Sequence, residues 1–282
     1  MELTPQTLIA LAGLIREDSG ISLGPDKSYL LRHRLAPVVR NHQLAGFDQL
    51  VDRMRLRTGS ALRQAVIDAI TVKETRFFRD HGCFEAIAQH VLPALFGANR
   101  SRRRLRIWSA AASTGQEAYS LAILASEFSE AHPSTMKGAV PCTILGSDVS
   151  DEAIQRAKLG RYSDAEAHRG LSAERLRRFF HRQGEGPWSA RETLRQLVQF
   201  RQFNLMKSPE MLGPFDLILC RNVLIYFDDA TRRKVCRGLH TALSDGGWLV
   251  LGAAESLYGI DHRFETIVSG RSILYRRAQR DG

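Results

Sequence analysis

Apolar residues in the first quarter of the chain recur at helical spacing. Leu8, Leu11, Leu14 and Ile15 fall on one stripe, as do Leu30, Leu31 and Leu35, and this predicts amphipathic helices over roughly residues 7–70. Breaks at Gly20, Gly24-Pro25 and Gly46 separate them, and Pro37 should kink or end the second helix. From Arg104 the period changes to short apolar runs alternating with helix-like stretches, the pattern of a parallel sheet flanked by helices. The expected strands are Leu105-Arg106-Ile107-Trp108, Cys142 to Gly146, Val198-Gln199-Phe200, Phe215 to Cys220 and Trp248 to Gly252. Phe215 to Cys220 is nearly all apolar and reads as central. A helix is expected from about Gln116 to Ser126, and Ser272-Ile273-Leu274-Tyr275 reads as a late antiparallel strand. Between Gly160 and Gln202 lies a long interval with a basic helix, Glu174 to Phe180, and a polar loop, Gln183 to Pro187, which reads as an inserted subdomain.

Composition narrows the class without naming a function. At 282 residues the chain suits one sizeable core with a smaller companion domain. Hydrophobic residues at 44% and charged residues at 25% are ordinary for a globular protein. No apolar run approaches the roughly 20 residues that span a bilayer, and Met1-Glu2-Leu3-Thr4-Pro5 does not open a signal segment, so a cytoplasmic location is expected. Cys83, Cys142, Cys220 and Cys236 are far apart and form no C-x-x-C pair, so neither a disulfide framework nor a metal site is expected. A net charge of +10 attracts polyanions, but its sign does not choose among nucleic acid, acidic lipid and acidic protein. The basic residues are dispersed, with Arg102-Arg103-Arg104-Leu105-Arg106 and Arg232-Arg233-Lys234 the tightest groups. On the second helix Lys27, Arg32, Arg34 and Arg40 form a cationic set, for which a wetted helix surface and a docking face weigh equally.

Three features converge on a nucleoside site. After the first strand, Ser109-Ala110-Ala111-Ala112-Ser113-Thr114-Gly115-Gln116-Glu117 is a run of small residues turning into a helix, where a ligand can lie against the backbone. Asp148 ends the second strand, the place where doubly wound sheets put an acidic partner for ribose hydroxyls. Asn204-Leu205 and Asn222-Val223 follow the third and fourth strands on the same carboxyl edge. Singly, each has a plain explanation as a tight turn, a helix cap or a turn residue. Their shared edge and order favour the nucleoside site.

The run Ile107-Trp108-Ser109-Ala110-Ala111-Ala112-Ser113-Thr114-Gly115-Gln116-Glu117-Ala118-Tyr119-Ser120 closely resembles a signature of the CheR family, the chemotaxis receptor glutamate methyltransferases. Thr71 to Asp80, Phe215 to Asp228, and Gly246-Gly247 with Gly252-Ala253-Ala254-Glu255-Ser256 resemble three further signatures in the family's order. The resemblance implies an α/β fold: a class I SAM-methyltransferase (Rossmann-like) domain with a small all-α N-terminal domain and a short β-rich inserted subdomain. The expected divisions are a receptor-docking helical domain over 1–72, a linker and helix over 73–103, and the methyltransferase domain over 104–282, with the insertion at about 165–202. It implies S-adenosyl-L-methionine as donor and S-adenosyl-L-homocysteine as product. The implied acceptors are glutamates on the cytoplasmic helical domain of methyl-accepting chemotaxis proteins, with no nucleic acid and with membrane contact only through the receptor.

Carried over by position, Thr75 and Glu117 would meet the methionine end of the donor, Asp148 the ribose, and Asn204, Leu205, Asn222 and Val223 the adenosine and neighbouring atoms. Arg79 and Tyr226 would face the transferred methyl as catalytic residues, with Arg79 also in the donor set. Lys73 stands where most members have Asn in T-x-N-E-T; lysine cannot accept a hydrogen bond, and its ammonium is expected to pair with the donor's carboxylate instead. The loop from Gln183 to Gly186 looks shorter than in members that hold a receptor tail, so direct recognition of the receptor body is expected. Two rival readings stand beside this one. A nucleic-acid methyltransferase would share the donor fold and suit the charge, but Cys220-Arg221-Asn222-Val223 is not the [DNS]-P-P-[YFW] type of amino-directed base enzymes. A non-catalytic regulator would keep the donor pocket and only dock on receptor helices.

Overall fold

A computed structural model describes residues 2–98, 104–133 and 142–278 of the chain. Arg102 and Arg103 of the basic run, and residues 99–103 of the expected linker, lie outside the described residues.

The N-terminal helices are α1 (Pro5–Ser19), α2 (Ser28–Asn41), α3 (Phe47–Arg55) and α4 (Ser60–Ile70). α1 starts where Thr4 accepts the Thr7 amide at 3.2 Å with proline in the first turn, and it ends at Gly20, whose φ of +78° suits glycine. Leu11, Ile15, Leu35, Val39, Leu50, Met54 and Val66 are fully buried at their shared core. The expected break at Pro37 does not end α2, which runs on to Asn41. Leu35, Val38 and Val39 are buried around the proline and hold the helix down. The carbonyl that Pro37 leaves without an N–H belongs to His33 on the exposed side, where water can bond it.

After Thr71 the chain runs irregularly to α5 (His81–Ala86), continues through a π turn at Ile87–Val91, and enters α6 (Leu92–Ala98). The second domain begins with β1 (Leu105–Ala110), α7 (Gln116–Ala131), β2 (Cys142–Asp148) and α8 (Asp151–Leu159). Next come β3 (Arg161–Tyr162), α9 (Asp164–His168), α10 (Ala173–Phe179), β4 (Phe180–His181), β5 (Trp188–Ala190) and α11 (Glu192–Arg195). The chain closes with β6 (Val198–Gln202), β7 (Phe215–Cys220), α12 (Asp229–Ala242), β8 (Leu243–Leu251), β9 (Phe264–Ser269) and β10 (Ser272–Arg277).

The large sheet has the order β6-β2-β1-β7-β8-β10-β9, parallel except for β10, which runs antiparallel to both β8 and β9. The chain steps outward from β1 to β2 and β6 and then returns to β7 on the other side. The crevice between β1 and β7 is therefore the switch point at which such sheets bind ligands. Along β7, Leu217 and Leu219 join the core on one face while Ile218 and Cys220 join the core on the other. Burial on both faces is why this strand reads as an unbroken apolar run.

Arg161–Tyr162, Trp188–Ala190 and Phe180–His181 pair as a separate three-stranded antiparallel sheet. This β-rich part lies within residues 161–190, starting ahead of the expected insertion of about 165–202, and Val198–Gln202 at the far end of that span is the edge strand of the main sheet. Among the described residues no helix is long and apolar enough to cross a membrane, and no cluster of His, Cys, Asp and Glu could hold a metal ion.

Candidate functional site

The turn after β1 is built on unusual backbone. Ala111, Ser113 and Gly115 have φ of +64°, +50° and +96°. Ala and Ser in the left-handed region cost roughly 1–2 kcal/mol each, a strain that clusters at functional sites. A Cβ on Gly115 would lie 3.0 Å from both Phe200 Cζ and Ala157 Cβ, so space as well as conformation asks for glycine there. The turn is cross-bonded: Ala112 donates to the Ser147 carbonyl at 2.8 Å, and Ser113 Oγ donates to the Lys73 carbonyl at 3.0 Å.

Asp148 closes this arrangement. Its two carboxylate oxygens accept the Ser113 and Ser150 amides, each at 2.9 Å. Burial pushes its carboxyl above the usual range, and those amide bonds oppose the rise. Glu117, in the first turn of α7, accepts from Ser109 Oγ at 2.7 Å and from Arg221 Nη1 at 3.0 Å. Arg221 donates further to Asp80 at 2.7 Å and to the Arg79 carbonyl at 2.8 Å, with its side chain 1% exposed. Burial alone would lower the guanidinium, but Glu117 and then Asp80 raise it above its ordinary value.

Ala111, Ser113, Glu117, Asp148 and Arg221 line one cleft of about 380 Å³, of ordinary size for a small-ligand site. Nine of the predicted donor and catalytic residues line it: Thr75, Arg79, Glu117, Asp148, Asn204, Leu205, Asn222, Val223 and Tyr226. Lys73 does not. Its ammonium bonds the Asp68 carbonyl at 2.6 Å and Glu152 at 2.8 Å, turned to the neighbouring helices, so the expected pairing with a donor carboxylate has no support in the geometry. What this residue brings to the site is its backbone carbonyl, on Ser113. Asn204 lines the cleft with its amide already engaged, Nδ2 on the Asp18 carbonyl and Oδ1 on the Met206 amide. The Arg79 guanidinium donates to the Glu74 carbonyl at 3.1 Å.

The helical domain supplies a wall of the cleft, with Ile21, Leu23, Lys27 and Leu30. It is fastened there by the Ser22 amide on the Tyr226 carbonyl at 2.9 Å, a single β-bridge between Ile21 and Phe227, and an ion pair between Arg16 and Asp228. The predicted cationic set divides. Arg32 and Arg40 are exposed on a shallow stripe of α2 with Tyr29, His33, Ala36 and Pro37. Lys27 stands at the cleft and pairs with Asp26 at 3.0 Å. Arg34 turns inward and donates to the Ile70 carbonyl at 2.6 Å, capping α4, so it does not belong to an outward docking face.

The sequence profile of the CheR methyltransferase SAM binding domain matches residues 73–273, and that of the CheR methyltransferase all-alpha domain matches residues 6–71. The chain belongs to the CheR methyltransferase family. It is 40% identical to Chemotaxis protein methyltransferase 1 of Pseudomonas aeruginosa, over 93% of this chain and 94% of that protein. It is 38% identical to Chemotaxis protein methyltransferase 1 of Vibrio cholerae, over 93% of each chain, and 32% identical to the Chemotaxis protein methyltransferase of Escherichia coli, over 90% of this chain and 85% of that one. It is a methyltransferase that uses S-adenosylmethionine. The cleft suits that molecule: a strand-end carboxylate and a small-residue turn line the same cavity as Thr75, Arg79 and Glu117.

Sequence reasoning missed Arg221, Glu255 and the wall from the helical domain. Arg221 and Glu255 were within the quoted signatures, and a charged residue directly after an all-apolar strand was the available signal for Arg221.

Proposed function

We propose that this CheR family member esterifies glutamate side chains of methyl-accepting chemotaxis proteins, leaving S-adenosylhomocysteine. One observation carries the reading: a single cleft is lined both by the fixed carboxylates Asp148 and Glu117 and by Tyr226 and Arg79, whose guanidinium makes one hydrogen bond among the described residues, to a backbone carbonyl.

When bound, S-adenosylmethionine supplies a methyl group on a positively charged sulfur. Thr75 and Glu117 receive its methionine end, Asp148 accepts from the ribose hydroxyls, and Leu205, Asn222, Val223 and the backbone around Asn204 border the adenosine. A glutamate has a reference pKa of about 4.3, so the acceptor arrives as a carboxylate and no general base is required. Ile21, Leu23, Leu30 and Ile225 make apolar walls that keep water from the opposite charges, which vanish together in the transfer. Dehydration by itself would protonate the acceptor, and Arg79 holds it ionised while the Tyr226 hydroxyl donates to its second oxygen. The grip must stay moderate, since holding the ground state as firmly as the transition state does not lower the barrier.

The receptor's cytoplasmic helices dock against Arg32 and Arg40 of α2, with Lys27 at the mouth of the cleft, and the receptor body is recognised without a tail. Labelled donor with receptor-containing membranes tests this: alkali-labile methyl on the receptor is expected, and label in nucleic acid, or no transfer, rejects it. Receptors with and without C-terminal tails should be methylated alike.

A further inference from the structure

We propose that Glu255 is a positioning residue for methyl transfer: its carboxylate sets the loop after β7 that carries Asn222, Val223 and Tyr226. This rests on the function proposed above. Oε1 accepts the Val223 amide at 2.9 Å and the Leu224 amide at 2.8 Å; Oε2 accepts the Asn222 amide at 2.7 Å and the Gly252 amide at 2.8 Å. Three of these donors are consecutive along the chain and converge on one anion, in the manner of a backbone nest. A left-handed residue next to right-handed ones produces such convergence, and Asn222 has φ +57°. The short turn Leu224–Tyr226 follows directly, so the clamp sets where Tyr226 starts.

Two features show that the charge is built for this task. Glu255 forms no ion pair among the described residues, and the hydrogen bonds its carboxylate accepts are all from main chain. A Cβ on Gly252 would sit 2.6 Å from Glu255 Oε2 and 2.9 Å from the Asn222 nitrogen, so glycine is what lets the carboxylate reach the loop. A glutamine could not take its place, because its NH2 group would face amide donors.

The full-length protein carrying E255Q, E255A or G252A tests the assignment, by calorimetry with S-adenosylhomocysteine and by receptor methylation, with thermal midpoints measured alongside. In E255Q we expect turnover to fall and the product's Kd to rise, each by about 10-fold or more, with KM for receptor changing less, because Arg32 and Arg40 of α2 do not line the cleft. G252A should move the same two quantities in the same direction by less. In E255A, acetate should restore part of the turnover where chloride at equal ionic strength does not, since a small carboxylate can enter the vacated nest. Wild-type turnover and product affinity in folded E255Q overturn the proposal, as does a loss in folded E255A that acetate leaves untouched. If wild type itself forms no methyl ester, the functional reading fails, and the product affinity of E255Q against wild type still decides the role of Glu255 in the donor site.

Discussion

The two ends of the cleft are built differently. At the donor end every charged group is tied down before a ligand arrives: Asp148 by two amides, Glu117 by Ser109 and the buried Arg221. Among the residues assigned to the acceptor, the backbone of Arg79 is fixed through its carbonyl by that same arginine, while its guanidinium makes one hydrogen bond among the described residues, to the Glu74 carbonyl. The difference matches where each partner comes from. A diffusing cofactor is bound most economically by a preorganised cradle, whereas the proposed acceptor, a carboxylate delivered on another protein, needs donors still open to take it.

Substitutions can break this contrast, and the largest effect is expected at Arg79. Arg79→Ala should lower receptor methylation by about 100-fold or more, as losing a charged donor at a transition state does, with S-adenosylhomocysteine affinity within a few-fold of wild type. Calorimetry in which that affinity disappears would erase the distinction between the ends. Next, Asp148→Ala should weaken product binding by about 10- to 100-fold and leave turnover at saturating donor nearly intact.

The titration of Asp148 sharpens the same point. Its carboxyl is raised by burial, so ionising it lowers fold stability as pH climbs through the raised value, and hydroxyl donors from a ribose favour the ionised form. Donor affinity should therefore decline on acidification at a pH above the ordinary aspartate value of about 3.9, and a flat affinity down to that value would refute it. Reversing Arg32 and Arg40 to Glu should raise KM for receptor by about 3- to 10-fold, more at low salt, with product affinity unchanged. The smallest change is expected for Tyr226→Phe, a drop of about 3- to 10-fold in turnover, for one neutral hydrogen bond; an equal rise in the product's Kd would move Tyr226 to the donor end.

Much of this was legible in the residues. Strands buried on both faces announce themselves as apolar runs, and Phe215–Cys220 was read with its true limits. β9 was not foreseen, since Phe264–Ser269 is an edge strand half open to solvent whose alternation resembles a polar loop. The ligand edge could be read because small residues, an aspartate and two asparagines follow successive strands. Side-chain direction could not: Arg34 and Arg32 are two positions apart on one helix, yet one caps α4 and the other meets water. Lys73 misled for a similar reason: of the partners that claim its ammonium, Glu152 is near it only once α4 and α8 pack together, and the other is a main-chain carbonyl, that of Asp68.

The bridge between Ile21 and Phe227 has a practical consequence for engineering. A foreign helical module grafted at residue 72 replaces one wall of the cleft along with the outward face of α2. A chimera must keep the stretch from Arg16 to Leu30 native and confine its changes to the outward residues of α2 beyond it.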